Sequence, residues 1–139
     1  MTYLVERLAE LRRHLEHLRE LEPQVVDAAS LRRDLSLHND VLFSLLTVCQ
    51  SAIDIAGELS ARKGRTFADY TESIRNLEAW EDFDPELVRR LAELPGFRNV
   101  LLHEYVTFDL ERAVEAMRDL GAVERFAEIV VALEREPHG

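Results

Sequence analysis

Leu4, Leu8, Leu11, Leu15 and Leu18 recur at alternating steps of four and three. That spacing returns side chains to one face of a 3.6-residue turn and predicts an amphipathic helix ending before Pro23. A second, longer apolar pattern opens near Ser30-Leu31. It carries Leu35, Leu42, Leu45, Leu46, Cys49, Ala52, Ile53, Ala56 and Leu59, and stops near Lys63-Gly64. At about 1.5 Å per residue, roughly thirty residues span about 45 Å, enough for the spine of a bundle. Thr66, with Asp69 three residues on, reads as a weak capping box for a helix that turns Phe67, Tyr70, Ile74 and Leu77 inward and ends near Trp80. Asp84-Pro85 sets a cap residue ahead of a first-position proline. The short helix it opens runs through Leu87, Val88 and Leu91 to Leu94, where Pro95-Gly96 stops it. Another helical stretch starts at Arg98. Asp109 caps a last helix with Leu110, Val114, Met117, Val123, Phe126, Val130 and Leu133, bent or interrupted at Gly121. No alternating strand pattern, internal repeat or low-complexity segment is present. The expected fold is all-α, a single-domain bundle of five or six helices over residues 1–136, with 137–139 a frayed tail.

Composition narrows this picture. The 139 residues are 47% hydrophobic and 32% charged, which suits one globular domain with a real core. A single cysteine, Cys49, excludes an internal disulfide and cysteine-rich zinc sites, and its apolar neighbours mark it as a small buried hydrophobe. No apolar run approaches the ~20 residues of a membrane span. The N-terminus moves straight into a charged amphipathic pattern, so the cytoplasm is the expected location. Charge is uneven. Residues 1–65 carry 9 Lys/Arg against 10 Asp/Glu, whereas residues 66–139 carry 8 against 17. Broad nucleic-acid binding needs a basic footprint that this chain lacks globally, so any RNA contact must be local or built from two chains.

The most concentrated chemistry lies in Arg98-Asn99-Val100-Leu101-Leu102-His103-Glu104-Tyr105. Arginine recognises phosphate through two parallel hydrogen bonds, and histidine titrates near neutrality. Val100, Leu101 and Leu102 anchor the segment in a core. On a helix, Asn99 and His103 share a face, while Arg98, Leu102 and Tyr105 form another row. Arg98 and His103, five apart, diverge by about 140°. They meet at one phosphate only if Arg98 lies in an irregular first turn, or if a second subunit supplies the complementary group. A plainer alternative stands beside this. Arg98 pairs with a nearby acid, His103 satisfies a core hydrogen bond, and Tyr105 packs.

Gly96-Phe97 followed by this octet resembles the signature of HepT-like proteins, a toxin branch of the HEPN superfamily. Its pattern is Arg, a polar residue, a short spacer, His, any residue, Tyr. Gln50-Ser51-Ala52-Ile53-Asp54-Ile55-Ala56-Gly57-Glu58-Leu59 is similar to the family's long-helix segment, and the order of helices before the motif also fits. The resemblance implies an HEPN-like fold and a metal-independent endoribonuclease toxin, without cofactor, assembled as a homodimer with a composite active site. It implies that His103 acts as general base on a ribose 2′-hydroxyl, that Arg98 binds the scissile phosphate, and that Asn99 orients the pair. Tyr105 would be the site where a partner nucleotidyltransferase antitoxin attaches AMP. A second reading is a catalytically silent HEPN module that binds the nucleotidyltransferase or a nucleotide through the same octet.

Other groups carry less. His14 and His17, three apart, read as solvated histidines rather than metal ligands. Asp54 and Glu58 form an acidic i,i+4 pair able to line the octet or pair with Arg98. Arg32-Arg33 and Arg62-Lys63-Gly64-Arg65 are basic clusters, the latter at a helix C-terminus where the dipole favours cations. Trp80 reads as core or interface.

Overall fold

The computed structural model describes residues 2–103 and 109–135, and all regular structure among them is helical. Tyr105 and the tail expected at 137–139 lie outside the described residues. The α-helices are α1 (Thr2–Leu21), α2 (Ala28–Arg32), α3 (Leu35–Arg62), α4 (Tyr70–Arg75), α5 (Pro85–Leu91), α6 (Leu94–His103), α7 (Leu110–Arg118) and α8 (Gly121–Arg135). Single 3-10 turns follow α1 and α4.

The excess over five or six helices has local causes. The long pattern divides because Asp27 and Ser30 form a reciprocal capping box for α2, and Asp34 then caps α3 afresh through the Leu37 amide. The last pattern divides at Asp119-Leu120, so Gly121 starts α8 rather than bending one helix. Asp84 accepts from the Leu87 amide at 2.8 Å and Asp109 from the Glu111 amide at 3.0 Å, as their positions predict.

Two further boundaries differ from expectation. Asp69, not Thr66, caps α4, accepting from the Glu72 amide at 2.8 Å while the Glu72 carboxylate accepts from the Ala68 amide. Proline does not stop a helix at residue 95. It sits in the first turn of α6, where its missing N–H costs nothing, and α5 has already ended at Leu91.

The spine is α3. Ser51, Ala52, Ile53, Ile55 and Ala56 are all buried, so the helix is covered on most sides. The leucine stripe of α1 packs along it, and α2, α4, α6 and α7 take other faces. By length and composition α3 is the one described helix apolar enough to cross a membrane, contrary to the expectation that no such run exists. Most of that apolar surface is buried within the bundle. At its C-terminus Gly64 adopts φ +67°, and the Arg65 amide returns to the Ser60 carbonyl at 2.9 Å.

Surface arginines clamp the outer helices. Arg19 of α1 pairs with Glu124 of α8, Arg62 of α3 with Glu134 at 2.8 Å, and Arg90 of α5 with Asp119 after α7. Lys63 stands 4.4 Å over the Trp80 ring, whose indole N–H donates to the Leu59 carbonyl. The basic cluster after α3 is thus partly engaged in holding the bundle.

Leu59 is fully buried on the spine. Leu59→Ala is expected to lower unfolding free energy by about 2–5 kcal/mol, the usual result of a core truncation that leaves a cavity. Urea denaturation monitored by circular dichroism checks this, and a loss below about 1 kcal/mol would contradict the packing of α3.

Candidate active site

α6 places the octet. Leu101 is buried and Phe97 and Val100 are half-buried, so one face of the helix is seated on the bundle. Leu102 is exposed, contrary to its expected role as an anchor. Asn99 and His103 are exposed on the outward face, whereas Arg98 turns toward α3 and is half-buried.

Arg98 is held from three directions. Its Nε donates to the side-chain oxygen of Gln50 on α3, and its Nη1 donates to Asn99 Oδ1 at 3.0 Å. The guanidinium carbon lies 5.4 Å from the ring centre of Tyr70, a cation–π contact. The Gln50 amide in turn donates to Asp54 Oδ1 at 2.7 Å. Asp54 therefore reaches the octet through an intervening amide instead of pairing with Arg98. Among the described residues Arg98 forms no ion pair, so its charge is oriented but not neutralised.

An irregular first turn is not what separates Arg98 from a regular helix. Arg98 is the fifth residue of α6, and His103, the tenth, faces about 140° away. One chain therefore presents an oriented cation and an exposed imidazole in different directions, with Asn99 between them.

Gln50 and Tyr70 were not singled out by their types. Gln50 precedes Asp54 by four, a spacing that marks a helical pair, but its long-range bond to Arg98 has no local signal. Helical spacing with Ile74 and Leu77 predicts a core position for Tyr70. It is 43% exposed, and Phe67 is 39% exposed with its ring edge against Gly57.

The remaining candidates serve the fold. His14 lies 3.0 Å from Ser44 Oγ and 3.1 Å from Glu10, and His17 lies 2.9 Å from Asp40, so each histidine is engaged by its own partners. Among the described residues no group of three or more His, Cys, Asp or Glu is arranged to hold a metal. An apolar cavity of about 480 Å³ opens on the other side of α6, with Leu45, Val48 and Cys49 on its floor. Burial pushes the Cys49 thiol up to about 12, slightly offset by the positive charge of Arg98.

The all-helical fold is that of HEPN toxins. It superposes on the tri-AMPylated Shewanella oneidensis HEPN toxin solved in complex with its MNT antitoxin, with a TM-score of 0.80 and 20% identity. The overlap covers 95% of this chain and 98% of that one. A toxin–antitoxin structure containing AMP-PNP gives the same TM-score at 19% identity, over 95% and 99% of the two chains. The chain belongs to the HepT-like ribonuclease family, whose model matches residues 11–130. It is 30% identical to the tRNA nuclease HepT of Aphanizomenon flos-aquae over 105 residues, 74% of this chain and 69% of that protein. Identity to the mRNA nuclease HepT of Shewanella oneidensis is 21%, over 93% of this chain and 96% of that protein.

Because a thiol held near 12 is almost wholly protonated and buried, Cys49 is expected to resist a thiol-specific reagent at pH 8 in the native protein and to react fully in denaturant. Stoichiometric labelling of the native protein within seconds would show that the core around Cys49 is open.

Proposed function

We propose that this chain is an RNA endonuclease whose active site is completed by a second copy of itself. The observation that carries the reading is the divergence on α6. Arg98 is oriented by Gln50, Asn99 and Tyr70, and His103 is exposed on the outward face. A two-fold pairing of α6 helices brings the groups of both chains to one strand. The nuclease names of the relatives support RNA as the substrate.

In this reading His103 takes the proton from a ribose 2′-hydroxyl, and the oxygen attacks the adjacent phosphorus. The bond from phosphorus to the 5′-oxygen breaks, and that oxygen takes a proton from solvent. The products are a 2′,3′-cyclic phosphate and a 5′-hydroxyl. Neighbouring-group attack removes the entropic cost of bringing the nucleophile in. His103 contributes as a general base. Arg98 meets the charge that grows on the phosphoryl oxygens, and with no carboxylate partner among the described residues its own charge stays available. Asn99, whose oxygen already takes one Arg98 N–H, aligns the guanidinium.

Arg98→Ala and His103→Ala are each expected to lower cleavage of single-stranded RNA by at least about 100-fold. Activity of the unmodified protein should persist in EDTA. Gel analysis of end-labelled RNA, with identification of the cyclic phosphate, reads both. Equal cleavage by all three proteins would remove the octet as catalyst. It would favour a silent module that binds a nucleotidyltransferase or nucleotide, a reading that the net charge of −10 also favours.

Tyr105 is the proposed acceptor of AMP groups from a nucleotidyltransferase antitoxin. The tri-AMPylated state of the Shewanella toxin in complex with its MNT antitoxin supports this. Phosphate charge two residues from His103 would occupy the place of the RNA phosphate. After co-expression with a cognate nucleotidyltransferase, intact-mass measurement should show added AMP on the unmodified sequence and none on Tyr105→Phe. AMP increments on both would place the modification elsewhere.

A further inference from the structure

α1, α3 and α6 enclose a hollow of about 300 Å³ beside the octet. Arg98 and Leu102 line it from α6, Gln50 and Ser51 from α3, and Arg7 and Glu10 from α1. Arg7 lies 91 positions before Arg98 in the chain and precedes the residues matched by the family model, which begin at residue 11. Nothing in the octet or in that match accounts for it.

The state of Arg7 is unusual. Its Nε is buried and has no hydrogen-bond partner, and among the described residues its guanidinium forms no ion pair. Its guanidinium carbon lies 5.8 Å from the ring centre of Tyr3. A buried donor left unmatched is unfavourable, and a guanidinium has five N–H donors to place. Two of the acceptor atoms that line the hollow are already in use. Glu10 is bonded to His14 at 3.1 Å, and the Gln50 oxygen takes the Arg98 Nε–H. Arg98 on the opposite wall likewise has no acidic partner among the described residues. Two cations therefore face one small hollow with donors to spare.

We propose that Arg7 and Arg98 form a two-guanidinium phosphate subsite, in which Arg7 holds the phosphodiester next to the one bound by Arg98. This rests on the ribonuclease reading of Arg98. An RNA strand fits the chemistry because successive phosphates present acceptor oxygens to both guanidinium forks, while Leu102 offers an apolar edge to the intervening sugar. Arg7 touches a phosphate that does not react, so its contact is the same in the ground and transition states.

The test uses the full-length protein with Arg7→Gln and Arg7→Lys, each checked by thermal denaturation. Binding of a fluorescent 2′-O-methyl oligoribonucleotide, which cannot cyclise, is measured by anisotropy across a salt series. Arg7→Gln is expected to weaken binding about tenfold and to reduce the salt slope by about 0.7, the value for one lost contact to a single strand. Arg7→Lys should recover the slope but only part of the affinity, because a point charge replaces a planar fork. With cleavable RNA, the loss for Arg7→Gln should fall on KM rather than kcat. Affinity and salt slope unchanged in Arg7→Gln, or a fall in kcat at constant KM, would overturn the subsite. If Arg98→Ala cleaves like the parent while Arg7→Gln still loses affinity and slope, the catalytic reading of Arg98 fails and the strand-binding subsite stands.

Discussion

The Arg98 guanidinium reaches the α3 spine through a neutral amide, and the rest of the site depends on that arrangement. Had Asp54 met Arg98 directly, the paired charges would have largely cancelled for an incoming anion. Instead Gln50 accepts from Arg98 with its oxygen and donates to Asp54 with its nitrogen. The amide passes on orientation while leaving a net positive group at the surface of α6. Tyr70 adds a ring face to the same cation, favourable without neutralising it. Each of these partners comes from a different helix, so the aim of Arg98 is only as good as the packing of α4 and α6 on α3.

Charge can then be read locally rather than as a sum. The chain carries a formal net charge of −10, an unpromising surface for a polyanion. Yet several arginines are matched to acids that join helices: Arg19 to Glu124, Arg62 to Glu134, Arg90 to Asp119. Arg98 has no acid partner among the described residues, and neither has Arg7 across the hollow. At physiological salt the reach of an exposed charge is about 8 Å, so distant acids weigh less on a bound phosphate than the groups lining its pocket. Asp54 and Glu10 are close enough to count, and each has one carboxylate oxygen engaged by a neighbour.

Much of the fold was legible. The leucine stripe of α1, the length of α3 and the caps at Asp84 and Asp109 follow from spacing and from the donors left unpaired at a helix start. Boundaries were less so. Thr66 looked like a cap because hydroxyls commonly are, but Asp69 lies in reach of the Glu72 amide and wins with a charged acceptor. Pro95-Gly96 looked like a stop, yet a proline in the first turn is as compatible with a helix beginning as with one ending. Residue type and spacing place Phe67 and Tyr70 inside. The bundle had already filled that space, leaving one ring on Gly57 and the other under Arg98.

The octet's residue types and its resemblance to a known signature determined the chemistry on offer, and helical periodicity alone separated Arg98 from His103. Local spacing can do this because side-chain direction along a helix depends only on the backbone repeat. What surrounds Arg98 was decided by tertiary structure. Gln50 and Tyr70, and Arg7 across the hollow, are dozens of residues away in the chain. Contacts of that kind follow from how helices pack face to face, and packing depends on the whole set of buried side chains rather than on any local pattern.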